Sequence, residues 1–287
     1  MATVISNQAT LSYTAGGNTG VAASNVATTV LQGAITMTKS AMAESYADGR
    51  HLTYLISLTN AGTTEIAGLT VTDDLGAYEV SQGVTAVPLT YVGPSMLFVN
   101  GVSRGEITPA VTEGTLTYQN VTVPAQSTAT IIYIAEVNGY APVSAGSTVT
   151  NTAAVTGEAL TEDLTDSVTL TAETFADVSV LKTMTPNPVY AGGTLTNTFE
   201  LYNYGNIEAT DVVLTDAFDP APTGLTVTVN GTVYTPSEYT YTAGTLTLPS
   251  GTGTDITVPA ATYTVDPATG LVSTAPGRTT VIVTGTV

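Results

Sequence analysis

The chain holds only two lysines, Lys39 and Lys182, where a protein of 287 residues ordinarily carries roughly a dozen or more. They lie 143 residues apart, and so do two aspartates further along, Asp73 and Asp216. A lysine, an acid and a carboxamide are the three groups a self-generated isopeptide bond needs. Burial disfavours the ammonium and releases a neutral amine, the amine attacks an asparagine carboxamide, and a neighbouring carboxyl, its own pKa raised by burial, shuttles protons as ammonia leaves. Most of the rate comes from positioning in a folded core. Asp73 and Asp216 are the candidate acids, and Glu65 and Glu208, repeated at the same spacing, are alternatives. The candidate amides are Asn151 and Asn7; Asn60 and Asn203 also repeat, but an Asn-x-Gly setting reads as a turn. A plainer account has each lysine begin a strand and pair with a surface carboxylate. Exposed ion pairs contribute little, which leaves the retention of these two lysines alone unexplained.

The elements that would hold these residues come from an internal duplication. The segment from Ile35 aligns with that from Val178, pairing Lys39 with Lys182, Gly49 with Gly192, Leu52 with Leu195, Asn60 with Asn203, Gly62 with Gly205 and Asp73 with Asp216, always 143 residues apart. An ungapped match carrying Lys, Asn, Gly and Asp together marks a repeat. After a short insertion near residues 76–88, Val99-Asn100-Gly101 matches Val229-Asn230-Gly231, and Gly114 to Thr117 matches Gly244 to Thr247. The alternating segment Thr130 to Val137 then meets Thr280 to Val287, where the second copy stops.

The first copy continues. Val149-Thr150-Asn151-Thr152-Ala153-Ala154-Val155, a loop and Ser167-Val168-Thr169-Leu170 read as a β-hairpin by alternation. A similar hairpin opens the chain, with Ile5 to Leu11, the turn-rich Thr14 to Gly20, and Asn25 to Thr28. The order is hairpin, body, hairpin, body. Either each hairpin belongs to the body after it, giving two closed sandwiches, or each completes the body before it, giving one complete domain, one lacking its last two strands, and a spare hairpin.

Composition sets further bounds. Threonine, valine, alanine, glycine and tyrosine dominate, no window carries a sustained helical periodicity, and almost no helix is expected. A net charge of −18 repels nucleic acid and anionic membranes. It also keeps copies apart unless contacts are specific and directional. There is no cysteine to staple the fold and no apolar run of membrane-spanning length, and the opening residues lack the features of a signal peptide. No enzyme is expected. His51 is the single histidine and has no counterpart in the second copy, so neither a zinc site nor a histidine-based reaction is supported. Asp73-Asp74 and the acidic stretch around Glu158, Glu162, Asp163 and Asp166 match no calcium-loop pattern and read as solvated acidic loops. No metal or cofactor is expected.

The motifs together resemble the conserved-repeat domain, a domain of unknown function, of bacterial and archaeal surface proteins. The resemblance lies in TKS or LKT, a following Gly, LTY or LTN, LTNAG or LYNYG, TVTDDL or VLTDAF, and a closing Asn-x-Ala hairpin like VTNTAAV. It implies an immunoglobulin-like sandwich with the hairpin placed after the body. The expected fold is therefore all-β, with two tandem immunoglobulin-like β-sandwich domains, the second lacking its closing hairpin, plus an N-terminal donor hairpin. The expected boundaries are 1–33 for the donor hairpin, 34–173 for the complete sandwich and 174–287 for the incomplete one. A sandwich without edge strands exposes unpaired backbone beside an uncovered apolar face. The spare hairpin could fold back to close its own chain or, more easily for a linear two-domain chain, fill the edge in a second copy, head-to-tail, so that the contact propagates into an open filament. On this assignment one crosslinking set is Lys39, Asp73 and Asn151. The other is Lys182, Asp216 and the Asn7 of another copy. The expected role is a structural filament subunit on the outside of a bacterial cell or spore, its partner another copy of itself. The alternative is a monomeric surface adhesin or stalk module binding a glycan or protein, a reading drawn from the 15 tyrosines, among them Tyr202, Tyr204, Tyr239 and Tyr241.

Overall fold

Period-two alternation of β-branched and small polar residues runs through the chain, and the computed structural model, which describes residues 3–31, 35–160 and 162–287, is correspondingly all-β, with no helix among the described residues. Two immunoglobulin-like sandwiches stand in tandem behind an N-terminal ribbon. In the first, one sheet runs in the order Val102–Glu106, Met96–Val99, Ser127–Val137, His51–Asn60, Ile35–Ala41. The facing sheet runs Ala110–Thr112, Thr115–Val123, Ile66–Asp73, Thr148–Thr156, Leu164–Ala172, Ser45–Tyr46. Alternation turns Leu52, Tyr54, Ile56 and Leu58 inward from one strand and Ile131, Tyr133 and Ala135 from its neighbour, against Leu69, Val71, Leu116 and Tyr118 of the facing sheet.

The hairpin that follows this body is part of it. Thr148–Thr156 pairs antiparallel with Ile66–Asp73, setting Ala153 opposite Asp73, and Leu164–Ala172 returns over the strand Ile35–Ala41 to meet Ser45–Tyr46 in parallel.

In the second sandwich one sheet runs Val178–Thr185, Thr194–Asn203, Gly277–Thr286, Thr223–Val229, Thr232–Tyr234. Opposite lie Leu214–Ala217, paired with Thr245–Leu248, and Ala209–Val212, paired with Ile256–Val258. Phe199, Leu201, Val227, Leu246, Val281 and Val283 fill the core. Leu214–Ala217 is paired on one side only, among the described residues, where its counterpart Ile66–Asp73 has a strand on each side. The uncovered face follows from this. Ile35 is 7% exposed, whereas Val178, its repeat partner, is 43% exposed, and Val180 and Met184 on the same face are 58% exposed.

The second copy also carries a hairpin without a counterpart, Thr262–Val265 with Val272–Ala275, which reaches back to the first sandwich. There the Val272 N–H donates to the Gly139 carbonyl at 2.9 Å, and the Ser81 hydroxyl donates to the Pro267 carbonyl at 2.7 Å. At the same junction the Asn206 amide donates to Val143 and Glu173 carbonyls at 2.9 and 2.7 Å.

The ribbon pairs Thr3–Asn7 with Ala27–Leu31 and Thr10–Ala15 with Asn18–Ala23. Its tip is Gly16-Gly17, both at positive φ, as a tight two-residue hairpin turn requires. Leu11, Tyr13, Val21 and Val26 are all more than half exposed. No strand pairing or hydrogen bond joins the ribbon to either sandwich among the described residues. An isolated two-stranded ribbon with apolar side chains in water is marginal by itself.

Candidate crosslinking sites

In the first sandwich four strands converge on one buried cluster. Lys39 comes from the edge strand Ile35–Ala41, Asp73 ends Ile66–Asp73, Asn151 lies on the closing hairpin and Tyr133 on the central strand Ser127–Val137. The alternation that makes these strands half-buried also turns all four side chains inward, and the Lys39 and Asp73 side chains are fully shielded. Lys39 Nζ is hydrogen-bonded to Asp73 Oδ2 and lies 3.4 Å from the Tyr133 hydroxyl. That hydroxyl donates to Asp73 Oδ2 at 2.6 Å and accepts from Asn151 Nδ2 at 2.9 Å. Asp73 Oδ1 accepts the Leu75 N–H at 3.0 Å, which orients the carboxylate.

Burial lowers the Lys39 pKa from its ordinary value, against the opposing pull of Asp73. Burial likewise pushes the Tyr133 hydroxyl well above the usual phenol range, with the Asp73 charge adding to it. Tyr54 stacks on Tyr133 with ring centroids 5.4 Å apart. Among the described residues, two buried side-chain polar atoms of this core have no hydrogen-bond partner, the Tyr54 hydroxyl and the Asn151 carboxamide oxygen. A buried amine bonded to an acid, with a carboxamide held on the same Tyr133 hydroxyl, brings together the three groups that transamidation requires.

The second sandwich brings together two of its three predicted groups. Lys182 Nζ meets Asp216 Oδ2 at 2.6 Å, lying 5.2 Å from the ring centroids of Phe199 and Phe218. This pair is open to solvent, with 35% of the lysine side chain and 16% of the aspartate exposed. Lys182 lines a cleft of about 190 Å³ with Met184, Asn197, Phe218 and Val287. The Asn197 oxygen is buried beside it without a partner. Asn7 sits exposed on the ribbon, opposite Ala27, and among the described residues no hydrogen bond joins it to Lys182, whose amine bonds to Asp216.

Glu65 and Glu208 are exposed, outside both clusters. Asn60 and Asn203 are buried and fully engaged in their turns. Each accepts the N–H two residues on at 2.9 Å, and each donates to the carbonyl four residues on at 2.8 Å. The tyrosines form no single platform, since Tyr239 is buried and Tyr241 packs edge-on against Phe218.

Sequence reasoning missed Tyr133 and Tyr54. The available signal was their inward position on strands of strict alternation, where a phenol needs a hydroxyl partner. Reading by repeat hid them, because their counterparts are Val283 and Asn197.

No protein-family model matches the chain, and no curated protein matches it at a significant level. Among solved structures it is similar to BcpA, the major pilin subunit of Bacillus cereus, at 11% identity over 87% of this chain and 66% of that one, with a TM-score of 0.37. It is also similar to the 35 kDa C-terminal fragment of the major pilin GBS80 of Streptococcus agalactiae, at 14% identity over 85% of this chain and 79% of that one, TM-score 0.36. A type II cohesin dyad from the scaffoldin ScaA of Acetivibrio cellulolyticus aligns at 11% identity over 88% of this chain and 85% of that one, TM-score 0.28.

Proposed function

We propose that this chain is a structural subunit that polymerises head-to-tail, the ribbon of residues 1–33 in one copy completing the sandwich of residues 174–287 in the next. The observation that carries the reading is that one chain holds both an open sheet edge and an unattached hairpin of the kind that closes the same edge in its other sandwich. Superposing the repeats gives the register. Asn7 takes the place of Asn151, which sets Ala9 opposite Asp216 and Leu11 opposite Leu214, as Ala153 and Val155 stand opposite Asp73 and Val71. Main-chain bonds to Leu214–Ala217 would supply affinity, and burial of Val178, Val180 and Met184 would supply much of the hydrophobic gain. Asn197 supports the same register. It stands where Tyr54 stands beside Asn151, and its unpartnered oxygen calls for an N–H donor such as the Asn7 amide.

Because donor and acceptor surfaces differ, the contact does not close on itself and yields a filament. Each residue set then has one covalent task. Lys39 and Asn151 staple the complete domain, residues 34–173, and Lys182 and Asn7 join neighbouring copies. Asp73 and Asp216 move the protons. The only chemistry in this reading is on the chain itself. The resemblance of its motifs to conserved-repeat surface proteins supports a filament on the outside of a bacterial cell or spore.

Sedimentation of the purified chain tests this. Polymers for the full chain and monomers for a chain lacking residues 1–31 are expected. A full chain that stays monomeric and binds a glycan array instead would replace the filament with an adhesin.

A further inference from the structure

We propose that Tyr133 and Tyr54 are catalytic residues for formation of the Lys39–Asn151 bond, Tyr133 relaying the proton that turns the amide nitrogen into departing ammonia and Tyr54 donating to the carboxamide oxygen as it becomes negative. The proposal rests on the crosslinking reading above.

A phenol hydroxyl has one proton and two lone pairs, and Tyr133 uses all three on the reacting groups. It donates to the Asp73 carboxylate, and it accepts from the leaving nitrogen of Asn151 and from the attacking nitrogen of Lys39. Among the described residues, no other side chain hydrogen-bonds to nucleophile, acid and leaving group together. Lys39 passes a proton to Asp73 Oδ2, leaving a neutral amine and a neutral acid. The Nζ lone pair forms a bond to the Asn151 Cγ, and the carbonyl π pair moves onto Oδ1. The amide nitrogen, now tetrahedral, has a free lone pair, so the hydrogen bonds through Tyr133 reverse. The acid proton passes to the Tyr133 oxygen, and the tyrosine's own proton passes to Nδ2. The positive Nζ returns a proton to Asp73. The oxyanion pair re-forms the carbonyl as the C–Nδ2 bond breaks, giving a secondary amide, ammonia and a protonated Asp73.

The oxyanion in this sequence develops on Asn151 Oδ1, buried and without a hydrogen-bond partner, and the buried Tyr54 hydroxyl lies beside the same carboxamide, whose N–H offsets part of the rise that burial gives the phenol pKa. Stacking on Tyr133 fixes the Tyr54 ring. An interaction absent in the ground state and made as charge develops lowers the barrier rather than tightening the starting complex. The second sandwich has Val283 and Asn197 at these positions and neither hydroxyl.

The test follows loss of one ammonia by intact mass in the full chain carrying Lys182→Arg, which removes the second amine, sampled from the start of refolding, with Tyr133 and Tyr54 intact and with Tyr133→Phe or Tyr54→Phe. General acid catalysis contributes about 10²- to 10⁴-fold and a single oxyanion donor about 10²- to 10³-fold, so both variants should form the inner bond at least about 100-fold more slowly. Core hydrogen exchange, measured with and without Asn151→Ala, reads any structural cost separately. Tyr54→Phe removes a single buried hydroxyl beside Asn151, so its fold is expected to be intact. Ammonia loss in the Lys182→Arg parent with unslowed tyrosine variants overturns the inference and leaves the crosslink standing. A parent that keeps its ammonia overturns both.

Discussion

Replacing Lys39 by methionine and Asn151 by alanine, singly and together, separates a covalent staple from a polar cluster. Without a bond the two side chains meet only through weak contacts, the Tyr133 hydroxyl and the neighbouring Tyr54, so their coupling should not exceed about 1 kcal/mol. With a bond, the chain between residues 39 and 151 is closed, and by analogy with a disulfide a loop of about a hundred residues is worth about 4.7 kcal/mol. Each single variant loses that term, and the double variant loses it only once. Asn151→Ala adds about 1 kcal/mol for its lost hydrogen bond. Lys39→Met adds a further loss because Asp73 is left buried without its cation. The double-mutant coupling should therefore be about 4 to 5 kcal/mol, or on the order of a thousandfold in an opening equilibrium. Amide exchange in His51–Asn60 reads this directly, since that strand is paired on both sides and opens only with the first sandwich. Additive exchange effects in the single variants, within about 0.5 kcal/mol, would refute the staple.

Lys182→Arg keeps the charge beside Asp216 but cannot attack an amide, so filaments should still form and then dissociate in hot detergent, whereas wild-type filaments should run as a ladder. Alkaline pH should unfold the first sandwich first. Burial raises the pKa of Tyr46, Tyr54, Tyr118 and Tyr133, so their contribution is complete below the ordinary phenol value near about 10 and is lost as pH rises toward the folded values. A pH titration of the circular dichroism checks this, and full retention of structure well above that pH would contradict it. Gly205→Ala should disturb the junction of the two sandwiches, because a Cβ there would lie 2.2 Å from the Phe175 carbonyl oxygen. Faster exchange around Phe175 and Asn206 with unchanged core exchange is the expected signature.

Much of this arrangement was legible because duplication repeats chemistry as well as pattern. Lys39, Asp73 and their partners at a constant spacing marked both the strands and the polar cluster, and strand alternation marked the core. The break in the ribbon at Gln8-Ala9 was not legible. There Ser24 takes up the Ala9 N–H through its side chain, a tertiary choice that alternation does not encode. The hairpin Thr262–Val265 with Val272–Ala275 was missed for a different reason. It has no copy to be aligned with, and its partners, the Gly139 carbonyl and the hydroxyl of Ser81 at the end of a short strand, belong to no motif. Tyr133 and Tyr54 belong to no motif and have Val283 and Asn197 as repeat counterparts, so nothing in the sequence sets their hydroxyls apart.

The central claim is that the ribbon of one copy occupies the open edge of another, and a peptide of residues 1–31 added to the chain lacking those residues tests it most directly. The account predicts binding of one peptide per chain, new amide protection along Leu214–Ala217 and Val178–Thr185, and no change in the first sandwich. No binding, or protection that appears elsewhere while Leu214–Ala217 exchanges as before, would contradict it.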